Sequence, residues 1–421
     1  MKKLLIVSPH FPPINAPDMH RIRMSLPYYR SLGWDVEVVC VDDKYVEGFY
    51  DDLLSETIPK FIKVHTVRAF PIWLTRKFGL GSLSIRSFIF FFFKVNRLLK
   101  EKKYDLIFFS TTMFHVGALG AYWKKRYNVP FVLDLQDPWR NDYYLNKPKS
   151  ERPSKFWFSY LLLKWTEQFA IPKSSGIMSV SNGYIAEIKR RYPSSANLPM
   201  EMIPFGSSLI DFELVERKSI SSFKFRSFPE QKQNVVYIGA VTPAFIPVIR
   251  AFFESLINNN FEFNKYHFYF LGTSYSIADS PKLVSDLANK LGIESHVSEQ
   301  THRLSYFETL STLKSADVLF VPGSMDVDYN ASKIYNLILS GTPIFSVFNN
   351  NSEVKKMIEK SNSGVVIGFF NEQDLRESLN KDVLSIANLN KVSLKINIPN
   401  EILAEYRTKQ QCSFFNACLE R

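Results

Sequence analysis

The stretch NVVYIGAV, residues 234–241, decides how this chain is organised. It is a short apolar run that reaches a glycine, which is typical of a buried parallel strand before its crossover helix. Runs of this kind recur through residues 1–205, whereas residues 206–233 contain no buried run. Because the pattern restarts at residue 234, we predict that a second sheet begins there.

Amphipathic helical stretches alternate with strand-like runs in both halves of the chain. The runs are KLLIVS, VEVVCV, KVHTV, DLIFFS, FVLDL, GIMSVS and EMIPF, then NVVYIG, HFYFLG, DVLFVP, PIFSVF and GVVIGF. Strands that alternate with helices form parallel sheets with crossover helices. We therefore predict an α/β fold with two Rossmann-like domains facing a central cleft. The boundaries are an N-terminal domain at 1–205, a linker at 206–233, a second domain at 234–398 and a C-terminal helix at 399–421 that crosses back.

The composition predicts a cytoplasmic protein with two cores. The chain has 421 residues, of which 46% are apolar. Its three cysteines, Cys40, Cys412 and Cys418, are too few for a disulfide framework and lack zinc-type spacing. The apolar run near the N-terminus reaches Pro9 too soon for a signal peptide, and no run reaches the roughly eighteen apolar residues that span a membrane.

The positive charge is confined to the first half of the chain. Residues 1–210 contain 30 Lys and Arg against 18 Asp and Glu, a net charge of +12. Residues 211–421 contain 22 against 23, a net charge of −1. A basic half could face nucleic acid, a membrane surface or an acidic substrate.

Basic and aromatic residues are interleaved in residues 60–103 and 147–165. Such interleaving could bind single-stranded nucleic acid, or it could belong to a buried helix with a solvated basic edge. The apolar residues are aliphatic as well as aromatic and stand in blocks, which favours a helix at 82–100 lying on an anionic membrane. We predict no nucleic-acid partner, and membrane contacts by Arg86, Phe91, Phe92, Lys94 and Arg97.

The segment DYNASKIYNLILSGTPIF, residues 328–345, predicts a phosphate site. Its apolar residues recur at helical spacing, and a glycine and a proline end the helix. The helix should start at about Asn330, after the strand DVLFVP, where helix N-termini in parallel sheets bind phosphate. Ser332 and Lys333 add a hydroxyl and a cation. The alternative is that Asp328 or Asn330 only caps the helix and Lys333 is a surface lysine.

Five motifs follow one another along the chain. They are SPHFPPINAPDMHRIRMSLPYYRSLGWDVEVVCVD at 8–42, VPFVLDLQDPW at 129–139, SVSNGYIAEIKRRY with MIPFG at 179–206, VVYIGAV at 235–241 and the segment at 328–345. In these motifs the chain resembles the retaining GT-B-fold glycosyltransferases of family 4. The resemblance implies transfer of a sugar from a nucleotide-diphosphate sugar, as co-substrate, to a lipid-linked saccharide. It implies a role in bacterial surface polysaccharide biosynthesis, such as capsule or lipopolysaccharide, at the inner face of the cytoplasmic membrane, with no cofactor required.

The resemblance also implies donor-binding residues. Asp328 and Asn336 occupy positions where the family has two glutamates, for the donor sugar and the ribose hydroxyls. Aspartate reaches less far than glutamate, and asparagine lacks its charge. The predicted donor-binding set is Gly239, Asp328, Asn330, Ser332, Lys333 and Asn336. The replacements leave two alternatives open, a degenerate nucleotide-sugar-binding protein and a sugar-nucleotide epimerase of the same fold.

Polar residues at the ends of the first-half strands predict the acceptor side of the site. Asp137 is assigned to the acceptor hydroxyl or to the positive charge that develops at the sugar, and His115 is a second catalytic candidate. Their alternatives are a helix cap and a packed histidine. His10, Arg21 and Asp134 are predicted to contact the acceptor, Arg21 because it matches the arginine of the family's first helix.

A competing motif is Asp326-Val327-Asp328, an Asp-x-Asp sequence of the kind that holds a divalent metal in GT-A glycosyltransferases. In that fold the motif lies far nearer the N-terminus. We therefore predict no metal site.

Overall fold

The computed structural model describes residues 1–153, 155–227, 232–274, 281–325, 333–390 and 394–420. The chain divides into two compact units. The first unit contains residues 1–206 together with 403–421, and the second contains residues 207–402.

The first unit is built on a parallel sheet. Its strands are β1 (Lys2–Val7), β2 (Ile14–Asn15), β3 (Trp34–Val41), β4 (Phe49–Tyr50), β5 (Lys63–Val67), β6 (Leu106–Ser110), β7 (Phe131–Leu135), β8 (Gly176–Ser179) and β9 (Met200–Met202). Among the described residues the strand order is β5-β3-β1-β6-β7-β8-β9, with β2 and β4 forming a separate antiparallel pair. The strands read as continuous apolar runs because helices cover both faces.

The helices of the first unit lie on both faces of this sheet. They are α1 (His20–Tyr29), α2 (Leu53–Glu56), α3 (Ile72–Thr75), α4 (Leu83–Glu101), α5 (Ala118–Tyr127), α6 (Phe156–Ala170) and α7 (Asn182–Arg191). Phe91 of α4 and Trp123 of α5 are fully buried in the core that contains Val7. Tyr29 of α1 lies in the core of the opposite face.

The second unit has a parallel sheet of its own. Its strands are β10 (Gln233–Ile238), β11 (Tyr266–Leu271), β12 (Val297–Gln300), β13 (Val318–Pro322), β14 (Ile344–Asn349) and β15 (Gly364–Phe369), in the order β12-β11-β10-β13-β14-β15 within the described ranges. Its helices are α8 (Leu209–Arg217), α9 (Ile246–Asn258), α10 (Leu283–Leu291), α11 (Tyr306–Ser315), α12 (Ile334–Leu339), α13 (Glu353–Ser361) and α14 (Glu372–Asp382). Two parallel sheets with helices confirm the predicted fold class.

The last helix, α15 (Ala404–Leu419), returns to the first unit. Its Phe415 is fully buried and packs edge-on against Trp34 and Phe108. The chain therefore crosses back after the second sheet, as the sequence predicted.

One local element differs from the sequence prediction. The predicted linker at 206–233 contains α8, in which Phe212, Leu214 and Val215 are buried. Tyr306 also donates a 2.7 Å hydrogen bond to Asp211 of this helix, so this part of the segment packs within the second unit. The helix predicted to start at about Asn330 is described from Ile334 onwards, and Asn330 itself lies outside the described residues.

Within the described residues, no single helix is both long and apolar enough to cross a membrane. Residues Ile72–Phe78 and α4 meet those requirements only when taken together, and they are bent by 116° relative to each other.

Candidate functional site

The carboxyl ends of β1, β6 and β7 lie side by side in the first sheet. Neighbouring parallel strands end at the same edge, and this edge is where doubly wound sheets bind ligands. The residues that follow these strands therefore come together although they are far apart in sequence.

Arg21 and Asp134 form a buried ion pair at this edge. The guanidinium Nε lies 2.8 Å from the Asp134 carboxylate, and the two side chains are 1% and 0% exposed. Ser110 donates a 2.7 Å hydrogen bond to the same carboxylate, and Arg21 also donates to the carbonyl of Ile203 at 2.7 Å. Burial raises the pKa of Asp134, and the charge of Arg21 opposes this shift.

The Arg21–Asp134 pair thus connects α1, β7 and the end of the first unit. Both side chains are buried and pair with each other, so neither is open to a ligand. This differs from the acceptor contacts predicted for them, and the difference arises because a buried charge must be paired.

His10 and Asp18 form a second pair at the same edge. Nδ1 of His10 lies 2.8 Å from the Asp18 carboxylate. The other oxygen of this carboxylate accepts hydrogen bonds from the hydroxyl of Thr111 at 2.8 Å and the backbone N–H of Thr112 at 3.1 Å. Burial acts to raise the pKa of Asp18, but the contacts of His10, Thr111 and Thr112 lower it overall.

The arrangement fixes the orientation of His10. Its side chain is 14% exposed, and one ring nitrogen is held by Asp18. A histidine held in this way by a carboxylate can present its other nitrogen for proton transfer. The sequence prediction missed Asp18. The available signal was a lone carboxylate in the loop after the first strand.

Asp137 lies close to this pair and is exposed to solvent. Partial desolvation and the neighbouring Asp18 carboxylate raise its pKa. Tyr184 also lies close to Asp137, since burial and the Asp137 charge raise the pKa of Tyr184. Asp137 has no hydrogen-bond partner in the described part of the chain, so the helix-cap alternative gains no support there. Its predicted role at the acceptor stays a prediction.

His115 is placed differently. Its Nδ1 is 2.8 Å from the hydroxyl of Ser84, and the side chain is buried. Burial lowers the pKa of His115 to about 4, so the ring is neutral at neutral pH. The structure therefore matches the packed-histidine alternative rather than a catalytic group open to substrate.

In the second unit, Gly239 and Lys333 are in direct contact. Gly239 follows β10 with a φ of 144°, and a Cβ at this position would lie 2.5 Å from Nζ of Lys333. The positive φ favours glycine, and a Cβ would also force the ammonium group of Lys333 to move. Lys333 donates to the hydroxyl of Tyr237 at 3.0 Å and the carbonyl of Ile238 at 3.3 Å.

Lys333 has an altered acidity. Burial, followed by the positive charge of Arg303, lowers the pKa of Lys333 to about 7. Its hydrogen-bond partners within the described ranges are uncharged, and its Nζ lies 4.2 Å from the centre of the Tyr237 ring. Among the described residues, no negatively charged group is in contact with this cation.

The other predicted donor-binding residues are only partly described. Asn336 is half-buried in α12, and its side-chain oxygen accepts a hydrogen bond from Ser207. Asn336 also lies next to Lys333, since its backbone N–H donates to the Lys333 carbonyl at 3.1 Å. Asp328, Asn330 and Ser332 lie outside the described residues.

The predicted membrane residues do not form one exposed surface. Phe91 is fully buried, and Arg86, only 4% exposed, donates to the carbonyls of Phe70 and Tyr45 at 2.9 Å and 3.1 Å. The membrane role is therefore wrong for these two residues. Phe92 and Lys94 are half-buried, and Arg97 is exposed and paired with Glu101 at 2.7 Å.

No group of three or more His, Cys, Asp or Glu side chains in the described ranges is arranged to hold a metal ion. Asp326 and Asp328 of the competing motif lie outside these ranges.

Residues 23–206 match the family model described as Glycosyltransferase Family 4. No curated protein matches the chain in sequence. Solved structures do match it over nearly their whole length. Anabaena HepE in complex with UDP is 15% identical, covers 100% of this chain and 98% of its own, and has a TM-score of 0.53.

Two further solved structures are similar. Sucrose-phosphate synthase from Thermosynechococcus elongatus is 12% identical over 100% of this chain and 97% of its own, with a TM-score of 0.55. WaaG is described as a glycosyltransferase involved in lipopolysaccharide biosynthesis. It is 16% identical over 98% of this chain and 95% of its own, with a TM-score of 0.50. At these identities the likeness shows the fold.

The first unit thus carries a glycosyltransferase family 4 domain, and the chain has the fold of the GT-B glycosyltransferases. The protein is a glycosyltransferase of the GT-B type, which confirms the class that its motifs predicted.

Proposed function

We propose that this protein transfers a sugar, with retention of configuration, from a nucleotide-diphosphate sugar to a lipid-linked saccharide. The reaction would serve bacterial surface polysaccharide biosynthesis at the inner face of the cytoplasmic membrane, where the protein would bind peripherally. The donor is supported by HepE, whose solved structures include complexes with UDP and with UDP-glucose. A lipopolysaccharide or related role is supported by the likeness to WaaG.

The observation that carries the donor assignment is the state of Lys333. The ammonium group of Lys333 is half-buried, and its hydrogen-bond partners among the described residues carry no charge. Burial without a neighbouring negative charge disfavours the protonated form, in agreement with the lowered pKa of Lys333. A diphosphate would supply the missing negative charge. Gly239 keeps the space beside Nζ free, so an anion could approach the cation along the end of β10.

In the proposed reaction, the acceptor hydroxyl oxygen bonds to the anomeric carbon as the bond from that carbon to the diphosphate breaks. The hydroxyl proton passes to the leaving phosphate, so the retaining step requires no strong protein base. Lys333 would neutralise the leaving diphosphate. Asp137, with an exposed carboxylate, would stabilise the positive charge that develops on the sugar.

The test compares nucleotide binding by Lys333→Met with binding by the wild-type protein. Methionine keeps the volume but removes the charge, so the affinity for UDP and other nucleoside diphosphates should fall by about 1.5–3 kcal/mol, measured by isothermal titration calorimetry. The melting temperature without ligand should stay the same or rise, because a destabilised buried charge is removed. Lys381→Met is the matched control, since Lys381 is an exposed lysine of the same unit.

Unchanged nucleotide affinity in Lys333→Met would overturn the donor assignment. Incubation with nucleotide sugars then separates the function classes. Transfer requires an acceptor, whereas consumption of the donor without any acceptor would assign an epimerase or hydrolase instead. Binding without turnover in the presence of lipid-linked saccharides would assign a binding protein.

A further inference from the structure

Two segments of the first unit expose large apolar side chains. In the segment containing α3, Trp73 and Phe78 are 71% and 70% exposed. In α6, Trp157 and Trp165 are 51% and 61% exposed. We define the aromatic patch as Trp73, Leu74, Phe78, Trp157, Phe158, Leu161 and Trp165, all of which are exposed. None of these residues belongs to the helix that the sequence predicted to bind the membrane.

The two segments adjoin each other in the fold. Nζ of Lys155, just before α6, donates to the carbonyls of Arg76 and Lys77 at 3.3 Å and 2.7 Å. A Cβ placed on Gly79 would lie 3.5 Å from the ring of Phe158. The turn that follows α3 is therefore in contact with the start of α6, and the exposed side chains of both segments lie in one region of the surface.

Helical periodicity explains why α6 has an outward apolar face. Trp157, Leu161 and Trp165 recur every fourth residue, which places them on one side of the helix. Tyr160 and Glu167, on another side, are buried against the domain. A surface helix of a soluble domain ordinarily turns its apolar stripe inwards and its polar side outwards. Here large apolar side chains also face outwards, and an exposed apolar patch of this kind marks an interaction surface.

The charge around the aromatic patch identifies the kind of partner. The sequence contains no Asp or Glu between Glu56 and Glu101, nor between Glu151 and Glu167. Arg76 and Lys77 are exposed next to Trp73 and Phe78. The guanidinium of Arg152 lies 5.3 Å from the ring centre of Trp157. The nearby carboxylates of Asp142 and Glu151 already have partners, since Tyr160 donates to Asp142 at 2.8 Å and Lys147 lies 3.6 Å from Glu151. Exposed apolar rings beside cations match the headgroup region of an anionic bilayer.

We propose that the aromatic patch docks this protein onto an anionic lipid bilayer. Tryptophan is favoured at the boundary between headgroups and acyl chains, and the leucines can enter the acyl layer. The basic side chains would extend outwards to lipid phosphates. A single-stranded nucleic acid would use the rings but gain little from the exposed leucines.

The position of the patch connects docking with the acceptor. The segment of α3 follows β5, and α6 follows β7, so both segments come after the carboxyl ends of strands. This is the edge of the sheet that carries His10, Asp18 and Asp137. Docking through the patch would bring this edge towards a lipid-borne acceptor. This last step rests on the proposed function, whereas the docking itself does not.

The test is flotation of the full chain with liposomes of phosphatidylcholine alone or mixed with phosphatidylglycerol. The wild-type protein should float with the anionic liposomes only, and less so as salt increases. Trp73→Ser/Phe78→Ser and Trp157→Ser/Leu161→Ser should each lower the partition coefficient by at least about tenfold, because apolar burial drives interfacial binding. Arg76→Gln/Lys77→Gln should remove most of the salt dependence. Phe370→Ser, which alters a 63% exposed phenylalanine of the second unit, is the matched control.

Three results would overturn the docking proposal. These are absence of wild-type flotation, flotation of both double variants at wild-type levels, and a wild-type dimer in light scattering that the same variants dissociate. The last result would assign the patch to a second copy of the chain. Nucleotide binding is measured on the same samples. If flotation fails while nucleotide binding persists, the docking proposal and the proposed peripheral location both fail, but the proposed sugar transfer does not. The reverse result affects only the donor assignment.

Discussion

Arg21 and Lys333 are cations near strand ends, one in each unit, but they are compensated in opposite ways. Arg21 is buried against Asp134 and two backbone carbonyls. Lys333 contacts a hydroxyl, a carbonyl and an aromatic ring, with no counter-charge in the described residues. The first arrangement is fully paired without a ligand. The second has no counter-charge among the described residues, which is why we propose that it binds an anion.

The largest expected effect concerns the buried ion pair of Arg21 and Asp134. Asp134→Ala leaves the buried guanidinium of Arg21 without its counter-charge, which should cost about 3–5 kcal/mol of the free energy of unfolding, measured by urea denaturation. The double variant Arg21→Met/Asp134→Ala should recover a large part of this loss. If Asp134→Ala were as stable as the wild-type protein, the pair would not be structural.

The second expected effect concerns Asp137, which is exposed and unpaired among the described residues. Asp137→Asn should reduce turnover by about 100-fold, because a positioned charge is removed from the transition state. Nucleotide affinity and the free energy of unfolding should stay nearly unchanged. A variant that lost stability but kept its rate per folded molecule would assign a capping role to Asp137.

The smallest expected effect is the pH dependence of nucleotide binding. The pKa of free Lys333 is about 7, and a bound diphosphate would raise it. Binding therefore favours the protonated amine, so affinity should be greatest below about pH 7 and fall by up to about tenfold per pH unit above it. Calorimetry in buffers with different ionisation enthalpies should show proton uptake on binding at about pH 8. An equal pH dependence in Lys333→Met would attribute the effect to another group.

The aromatic residues show how far sequence reasoning extends. In SIRSFIFFFFKVNRLLK, residues 84–100, a dense aromatic block beside basic residues predicted a membrane helix. The structure buries Phe91 completely, while Phe93, two residues further along the helix, is 64% exposed. The residues of the block point in different directions around α4, and a run of identical residues carries no periodic signal that tells which ones face the core.

The residues of the candidate site could be predicted only where the functional groups lie close together in the sequence. Lys333 could be found because it follows a strand and begins a helix whose apolar spacing is clear. Asp18 could not be paired with His10 in advance, because their contact depends on how the loop after β1 folds back. The neutral state of His115 also depends on burial beside Ser84, which is 31 residues away.

The sequence by itself determined the parallel sheets, their division near residue 206 and the class of enzyme, because strand and helix periodicities and local motifs are properties of neighbouring residues. Only the tertiary structure decided which charges are paired, which pKa values shift and which aromatic side chains remain exposed. These properties arise from contacts between segments far apart in the chain, and burial changes the energy of a charge or an apolar ring far more than its sequence neighbours do.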